Sequence, residues 1–237
     1  MPMIIGSLVL VLVMALLSAV VWVWAVRKPP AAPATPSEDA TPDAPRPLSY
    51  VAIGNANVNM LFDSKPAPVG SGWVARLLAF LPLDTHFFVA GEDHTTLRET
   101  NLEAIPAIKA NPDIITLWNV VGDSTGGTPL IAYLGELRKA LDRLTRDTEA
   151  QVVLLNLPDL TLLMQDQTEE RKALVRGGID QWNRVIAEAA LRYGRRVLLI
   201  DLYSVSAQVL DPVTGNTALA EMVWQGVQAI VRGERKT

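Results

Sequence analysis

Five short apolar runs recur along the chain after residue 48, and each run is continuous rather than alternating. A continuous run is typical of a strand in a parallel sheet, because helices cover both faces of such a strand. The predicted strands are residues 50–53, 86–90, 114–118, 152–155 and 197–200. We therefore expect the outer body of the protein to contain a parallel sheet.

Between these runs the apolar residues recur every three or four positions, which predicts helices that bury one side. The predicted stripes are Val74, Leu77, Leu78 and Leu81; Leu130, Leu134, Leu137, Leu141 and Leu144; Ile179, Trp182, Val185, Ile186 and Ala189; and Leu219, Met222, Val223 and Ile230. Thr96 followed by Glu99 predicts a capping box, and Thr128 before Pro129 predicts an N-cap with proline at the first helical position. Strands that alternate with helices predict an α/β fold over residues 48–237, a three-layer αβα domain with a doubly wound, flavodoxin-like, five-stranded parallel sheet.

The amino-terminal region has a different pattern. Residues 4–26 carry no charge and would span roughly 34 Å as a helix, enough for the hydrocarbon core of a bilayer. Trp22 and Trp24 near one end suit the headgroup region, so residues 1–28 are predicted to be a single-pass transmembrane anchor. A cleaved signal peptide is the alternative, although the run is long for one and no basic segment precedes it. Residues 29–47, rich in proline and alanine, are predicted to be a disordered, polyproline-like linker.

Composition narrows the possible chemistry. The chain has no cysteine, which excludes disulfides and thiol nucleophiles, and its only histidines are His86 and His94. The net charge is -4 without a basic stripe, so we expect no nucleic acid partner. No cofactor motif is present, and the carboxylates Glu92, Asp93 and Asp123 lack the spacing of a cation loop, so we expect neither a cofactor nor a metal.

Ligands of such sheets bind beyond the carboxyl ends of the strands, which makes the residues after each strand informative. Those segments are Gly-Asn-Ala-Asn at 54–57, Ala-Gly-Glu-Asp-His at 90–94, Asn-Val-Val-Gly-Asp-Ser at 119–124 and Asn-Leu-Pro-Asp-Leu at 156–160. In this order they resemble the SGNH (GDSL) hydrolases, a family of esterases and lipases. That family carries Gly-Asp-Ser after its first strand, a glycine after the second, Gly-x-Asn-Asp after the third and Asp-x-x-His before the last helix. The resemblance covers residues 48–231.

The departures from that pattern fall on its catalytic positions. Ala56 stands at the serine position, and alanine has no hydroxyl to form an acyl intermediate. Gly91 matches the second-block glycine, but Gly122 stands at the asparagine that would donate to an oxyanion. Thr214, or Leu210 in a second alignment, stands at the histidine position. The resemblance therefore implies an SGNH-like fold that lacks the nucleophile, the base and one of the oxyanion donors.

Two other readings of the same residues remain. Gly122-Asp123-Ser124 could itself be a nucleophile block, although no histidine follows it. A rearranged site could pair Ser124 with His94, with Asp93 or Glu92 orienting the ring, whereas the simpler interpretation makes Ser124, Asp93 and Glu92 solvated loop residues.

Three hypotheses of function follow. The first is an impaired SGNH-like domain that binds a glycan, an acyl group or a protein partner through Asn55, Asn57, Gly91 and Asp123. The second is an active ester hydrolase around Ser124 and His94, and the third is a structural spacer. The lipid bilayer is the expected partner of residues 4–26. The side of the membrane stays open: Arg27 and Lys28 favour a cytoplasmic body, whereas the resemblance favours an extracytoplasmic one, which we expect.

Overall fold

The sheet has five parallel strands, as the sequence predicts. In a computed structural model that describes residues 46–55, 72–90, 95–108 and 111–232, their order is β2-β1-β3-β4-β5. The strands are β1 (Ser49–Gly54), β2 (His86–Ala90), β3 (Ile114–Trp118), β4 (Gln151–Leu155) and β5 (Val197–Ile200). Each predicted run is confirmed to within one residue at either end.

Helices follow the strands and return the chain to the opposite edge of the sheet. They are α1 (Trp73–Leu78), α2 (Leu97–Leu102), α3 (Ala104–Ala107), α4 (Val120–Thr125), α5 (Leu130–Asp147), α6 (Glu169–Leu191), α7 (Ser206–Val209) and α8 (Gly215–Val231), with 3-10 turns at Leu160–Leu163, Gly194–Arg196 and Tyr203–Val205. Helix α1 packs against α8, and α5 packs against α2 and α6. Every residue of β3 is buried, so helices cover both faces of the central strands.

The predicted helical stripes form much of the core. Leu137, Leu141 and Leu144 of α5 are buried, as are Ile186 of α6 and Val223 of α8. The sheet contributes to the same core through the continuous apolar runs of β1, β3 and β4.

The prediction that helices cover both faces of every strand is wrong for β2. Phe88 is 53% exposed and Val89 is 39% exposed. Strand β2 is an edge strand that pairs only with β1, from Ser49 opposite His86 to Ile53 opposite Ala90. A continuous apolar run cannot distinguish an edge strand from a central one, because both have the same composition.

One predicted helix start is confirmed and the other is wrong. The Thr96 hydroxyl accepts from the Glu99 backbone N–H while the Glu99 carboxylate accepts from the Thr96 N–H, which completes the capping box. Helix α5, however, begins at Leu130, and Pro129 occupies the N-cap position. The Thr128 side chain hydrogen-bonds to the Asp123 carboxylate instead, because that buried acceptor competes for its hydroxyl.

The chain divides into two units, Met1–Arg46 and Pro47–Thr237, and all the elements above belong to the second. Among the residues described, no helix is both long enough and apolar enough to cross a bilayer. The predicted anchor at 1–28 and all but the last two residues of the predicted linker at 29–47 lie outside the described residues.

Candidate active-site edge of the sheet

The carboxyl edge of the sheet is the edge at which the parallel strands end. Strand β1 ends at Gly54, whose φ of 89° lies in the left-handed region that favours glycine. A Cβ atom at this position would overlap the side-chain oxygen of Asn119 and lie 2.6 Å from the carbonyl oxygen of Trp118. Gly54 is thus required both by its backbone conformation and by the close approach of the residues that follow β3.

Asn119 is a buried amide that joins this edge to α2. Its Nδ2 donates to the Thr100 hydroxyl at 2.7 Å and to the Thr95 hydroxyl at 3.3 Å. Its Oδ1 faces Gly54 and has no hydrogen-bond partner in the structure described. The side chain therefore presents an acceptor towards the end of β1, whereas stabilising an oxyanion requires a donor.

Asn55, a predicted binding residue, is only 1% exposed. Its backbone N–H donates to the Trp118 carbonyl at 2.9 Å, and its own carbonyl accepts from the Trp73 indole N–H at 2.9 Å. These contacts fix the backbone leaving β1 against β3 and α1. The family positions Ala56 and Gly91, the predicted binding residue Asn57, and the residues Glu92, Asp93 and His94 of the rearranged site lie outside the described residues.

The segment after β3 is helical rather than a loop. Gly122, Asp123 and Ser124 belong to α4, and Asp123 is 2% exposed. The Asp123 carboxylate accepts from the Leu97 N–H at 2.7 Å. Burial raises the pKa of Asp123, although the bonds from Leu97 and Thr128 oppose the shift. The Asp123 carboxylate therefore holds α4 against the start of α2.

Ser124 is half-buried within α4, so its interpretation as a solvated loop residue is wrong. Its hydroxyl donates to the Val121 carbonyl at 3.0 Å, one turn earlier in the helix. This local bond occupies the proton that a general base would have to remove.

The segment before the last helix occupies the place of Asp-x-x-His but forms a turn, held by Asp211, that leads into α8. Asp211 Oδ1 accepts from the Thr214 N–H at 2.7 Å, the Thr214 hydroxyl at 2.9 Å and the Val213 N–H at 2.9 Å. These bonds, those from Thr214 first, lower the pKa of Asp211. The Thr214 carbonyl in turn accepts from the Ala218 N–H in the first turn of α8. The alternative position, Leu210, is buried.

Polar contacts also fix the positions of the segments that follow β4 and β5. Asn156, directly after β4, donates to Asp201 at 2.8 Å and accepts from the Leu202 N–H at 2.7 Å. The Asp159 N–H donates to the Ser206 hydroxyl at 2.6 Å, and Arg176 pairs with the Asp159 carboxylate at 3.2 Å. Burial acts to raise the pKa of Asp159, but the bonds from Thr161 and Arg176 lower it on balance.

Two open cavities adjoin this edge. One of about 530 Å³ lies beside the Asp211 turn and is lined mainly by apolar residues, among them Leu162, Leu163 and Leu210. A larger groove of about 1100 Å³ runs along α2 and α5, from Glu99 near the carboxyl edge past Asn101 and Glu136 to Arg143 and Arg146 near the amino edge, and is lined mostly by polar and charged side chains. No group of three His, Cys, Asp or Glu side chains within the described ranges could hold a metal ion.

Sequence reasoning missed Asn119 and Asn156 as organising residues of the carboxyl edge. Each is an asparagine that directly follows a buried strand, and each is less than 5% exposed. Their position after a strand was the available signal, since a buried amide needs several hydrogen-bond partners and so fixes the loops around it.

Two substitutions of Asp123 distinguish the contribution of its charge to stability from the contribution of its hydrogen bonds. Because the pKa of Asp123 is raised in the folded state, its contribution to stability falls as the pH rises from the usual aspartate range through the folded pKa. Asp123→Asn removes this titration but keeps an acceptor for Leu97. We expect the Asn variant to gain stability relative to the wild type between about pH 4 and about pH 7, as measured by urea unfolding.

Asp123→Ala, in contrast, leaves the Leu97 N–H without its acceptor and should cost about 1–3 kcal/mol at either pH. If the Asn variant and the wild type show the same change in stability between the two pH values, the pKa of Asp123 is not raised in the folded state.

Comparison with known proteins identifies the fold. No family model matches the chain, and no curated protein matches it. Among solved structures, TesA superposes with a TM-score of 0.58 at 17% identity over 77% of this chain and 99% of that one. The family 3 carbohydrate esterase of Clostridium thermocellum gives 0.56 at 15% identity over 79% and 98%.

A lipolytic G-D-S-L family protein of Veillonella parvula DSM 2008 gives a TM-score of 0.55 at 18% identity over 75% of this chain and 97% of that one. The body of the chain therefore has the fold of the SGNH (GDSL) hydrolases, as its resemblance predicts. At these identities the likeness concerns the fold alone.

Proposed function

We propose that the chain is a membrane-anchored SGNH-like domain that binds its ligand without hydrolysing it. The observation that carries the proposal is the turn at Asp211: the carboxylate at the place of the family's aspartate accepts hydrogen bonds from Thr214, which stands where the base would be. A threonine hydroxyl cannot accept a proton from a nucleophile near neutral pH, and Ala56 offers no nucleophile.

The loss of several members of one catalytic unit supports this proposal. Residues of a triad act together, so the removal of one member already costs most of the rate enhancement. Here the serine, histidine and asparagine positions hold Ala56, Thr214 and Gly122. The orientation of the Asn119 amide, with its oxygen towards Gly54, adds an acceptor where catalysis would need a donor.

The two cavities suggest the ligand class. The cavity beside Asp211 offers leucine side chains to an acyl group, and the polar groove along α5 suits hydroxyl-rich ligands. Since solved structures with this fold include an acetyl xylan esterase and a carbohydrate esterase, we propose an acylated glycan as the ligand, with the body on the extracytoplasmic side. A protein partner is the other occupant consistent with an inactive site.

We expect the purified full-length chain to hydrolyse p-nitrophenyl acetate no faster than buffer containing the same amount of denatured chain. Acetylated xylo-oligosaccharides should instead bind without turnover, as calorimetry and product analysis can show. Turnover that a single substitution in the body abolishes would contradict the proposal.

The alternative, an active ester hydrolase around Ser124 and His94, makes the opposite prediction. A fluorophosphonate probe would label Ser124, and Ser124→Ala would abolish the label. We expect no labelling, because the Ser124 hydroxyl is bonded to Val121 within α4. Ser204→Ala, an exposed serine on a neighbouring loop, is the matched control for unspecific labelling.

A further inference from the structure

The amino edge of the sheet, at which the strands begin, is also the edge at which the chain enters the body. Leu48 precedes β1, and its carbonyl accepts from the His86 N–H at the start of β2. Helices α5 and α6 end at this edge, because they return the chain to β4 and β5. Residues 1–45 are therefore joined to the body at its amino edge, at β1, which is the second of the five strands in the sheet.

The two edges differ in charge. The amino-edge segments 46–48, 79–85, 111–113, 142–150 and 191–196 hold six arginines and five carboxylates, namely Arg46, Arg143, Arg146, Arg192, Arg195 and Arg196 against Asp84, Asp113, Asp142, Asp147 and Glu149. The carboxyl-edge segments 95–99, 119–129, 156–172 and 201–215 hold three cations and eight carboxylates, namely Arg98, Arg171 and Lys172 against Glu99, Asp123, Asp159, Asp166, Glu169, Glu170, Asp201 and Asp211. The described body is therefore polarised along the strand direction.

Arginine matters here beyond its charge. Its planar guanidinium binds phosphate through two hydrogen bonds, and its stem packs on apolar surface. Arg192 and Arg195 are exposed beside Leu191, itself 80% exposed, whereas the exposed Arg146 side chain already donates to both oxygens of the Asp147 carboxylate. At the other end of the same edge Leu83 is fully exposed. Exposed apolar side chains also occur at the carboxyl edge, such as Val213, so it is the charge that distinguishes the two edges.

We infer that the amino edge lies against the headgroups of an anionic phospholipid surface and that the carboxyl edge, with the candidate site, points away from it. An anionic surface repels the carboxyl edge, where eight carboxylates outnumber three cations, more than the amino edge, where six arginines outnumber five carboxylates. The inference rests on the proposed membrane anchor and adds the orientation of the anchored body. It applies to either side of the membrane.

The absence of cysteine allows this orientation to be measured on the full chain. A single cysteine is introduced either at the amino edge (Ala79→Cys) or at the carboxyl edge (Ser204→Cys), both at exposed positions. The labelled chain is reconstituted into vesicles of phosphatidylcholine with phosphatidylglycerol and a headgroup-labelled acceptor lipid. We expect energy transfer at least about twofold higher from position 79 than from position 204, with the difference lost at high salt.

The variant Arg146→Glu, Arg192→Glu, Arg195→Glu should abolish the difference in transfer. The matched control reverses the same number of charges at the carboxyl edge, through Arg98→Glu, Arg171→Glu and Lys172→Glu, and should preserve or enlarge the difference. Circular dichroism and thermal unfolding verify that each variant is folded. Equal transfer from the two positions, or higher transfer from position 204, overturns the inference.

A separate measurement tests the proposed anchor. If alkaline carbonate releases the chain from the vesicles, the chain is not anchored as proposed. The same labelled chain, added to preformed vesicles, still tests the orientation: binding with position 79 nearer the lipid supports it, and no binding or the reverse order overturns it.

Discussion

Replacing Gly54 with alanine is expected to lower the free energy of unfolding by about 3 kcal/mol or more. Two costs combine at this position. The φ of 89° is strained for any residue with a Cβ, and the methyl group would overlap the Asn119 side-chain oxygen. Urea unfolding followed by tryptophan fluorescence measures the loss. Because Gly54 ends β1 directly before the candidate site, ligand binding should weaken in parallel.

Gly127→Ala is the matched control, since Gly127 also has a positive φ, 79°, but no atom lies within 4 Å of its added Cβ. It should cost only about 1 kcal/mol, the conformational part alone. The double variant Gly54→Ala, Asn119→Ala should lose less free energy of unfolding than the two single variants lose together, because the second substitution removes the clash. If Gly54→Ala costs no more than Gly127→Ala, the close contact between β1 and Asn119 does not exist.

Asn156→Ala should have the second largest effect, a loss of about 3 kcal/mol in the free energy of unfolding. The substitution removes the acceptor of the Leu202 N–H, a fully buried residue, and the donor to Asp201. A buried N–H without a partner costs more than the lost bond alone. Thermal unfolding by calorimetry gives the change, and amide hydrogen exchange at Leu202 should accelerate locally.

Asn183→Ala is the control for burial. Asn183 also makes two bonds, to the N–H and the carbonyl of Leu157 at 2.9 Å each, but its side chain is only half-buried. Water can replace part of those bonds, so we expect a loss of about 1 kcal/mol. Equal losses for the two variants would mean that burial does not set the cost.

The residues behind these two predictions hold the carboxyl edge of the sheet without any contribution from the family's catalytic positions. Gly54, Asn119 and Asn156 hold the ends of β1, β3 and β4 in place through backbone conformation and buried amides. None of these contacts depends on a hydroxyl at position 56 or an imidazole at position 214. The shape of the carboxyl edge therefore does not depend on the side chains at those two positions.

Much of the fold is predictable from the sequence because burial leaves a pattern in the sequence itself. The run at 114–118 became β3 without shift, since a strand covered on both faces must be largely apolar. The capping box at Thr96 is equally local, because donor and acceptor lie three residues apart. Thr128 failed as a cap because its competing partner, Asp123, lies outside the local pattern.

The sequence by itself determined the α/β fold, the positions of the strands and the chemical content of the catalytic positions, because periodicity and side-chain chemistry are properties of the chain. Only the tertiary structure decided that Asn156 bonds to Asp201 and Leu202 and that Asn119 turns its oxygen towards Gly54. These outcomes depend on which polar groups meet after the chain is folded. Burial makes each such group take the best partner within reach, and no local pattern records which partner that is.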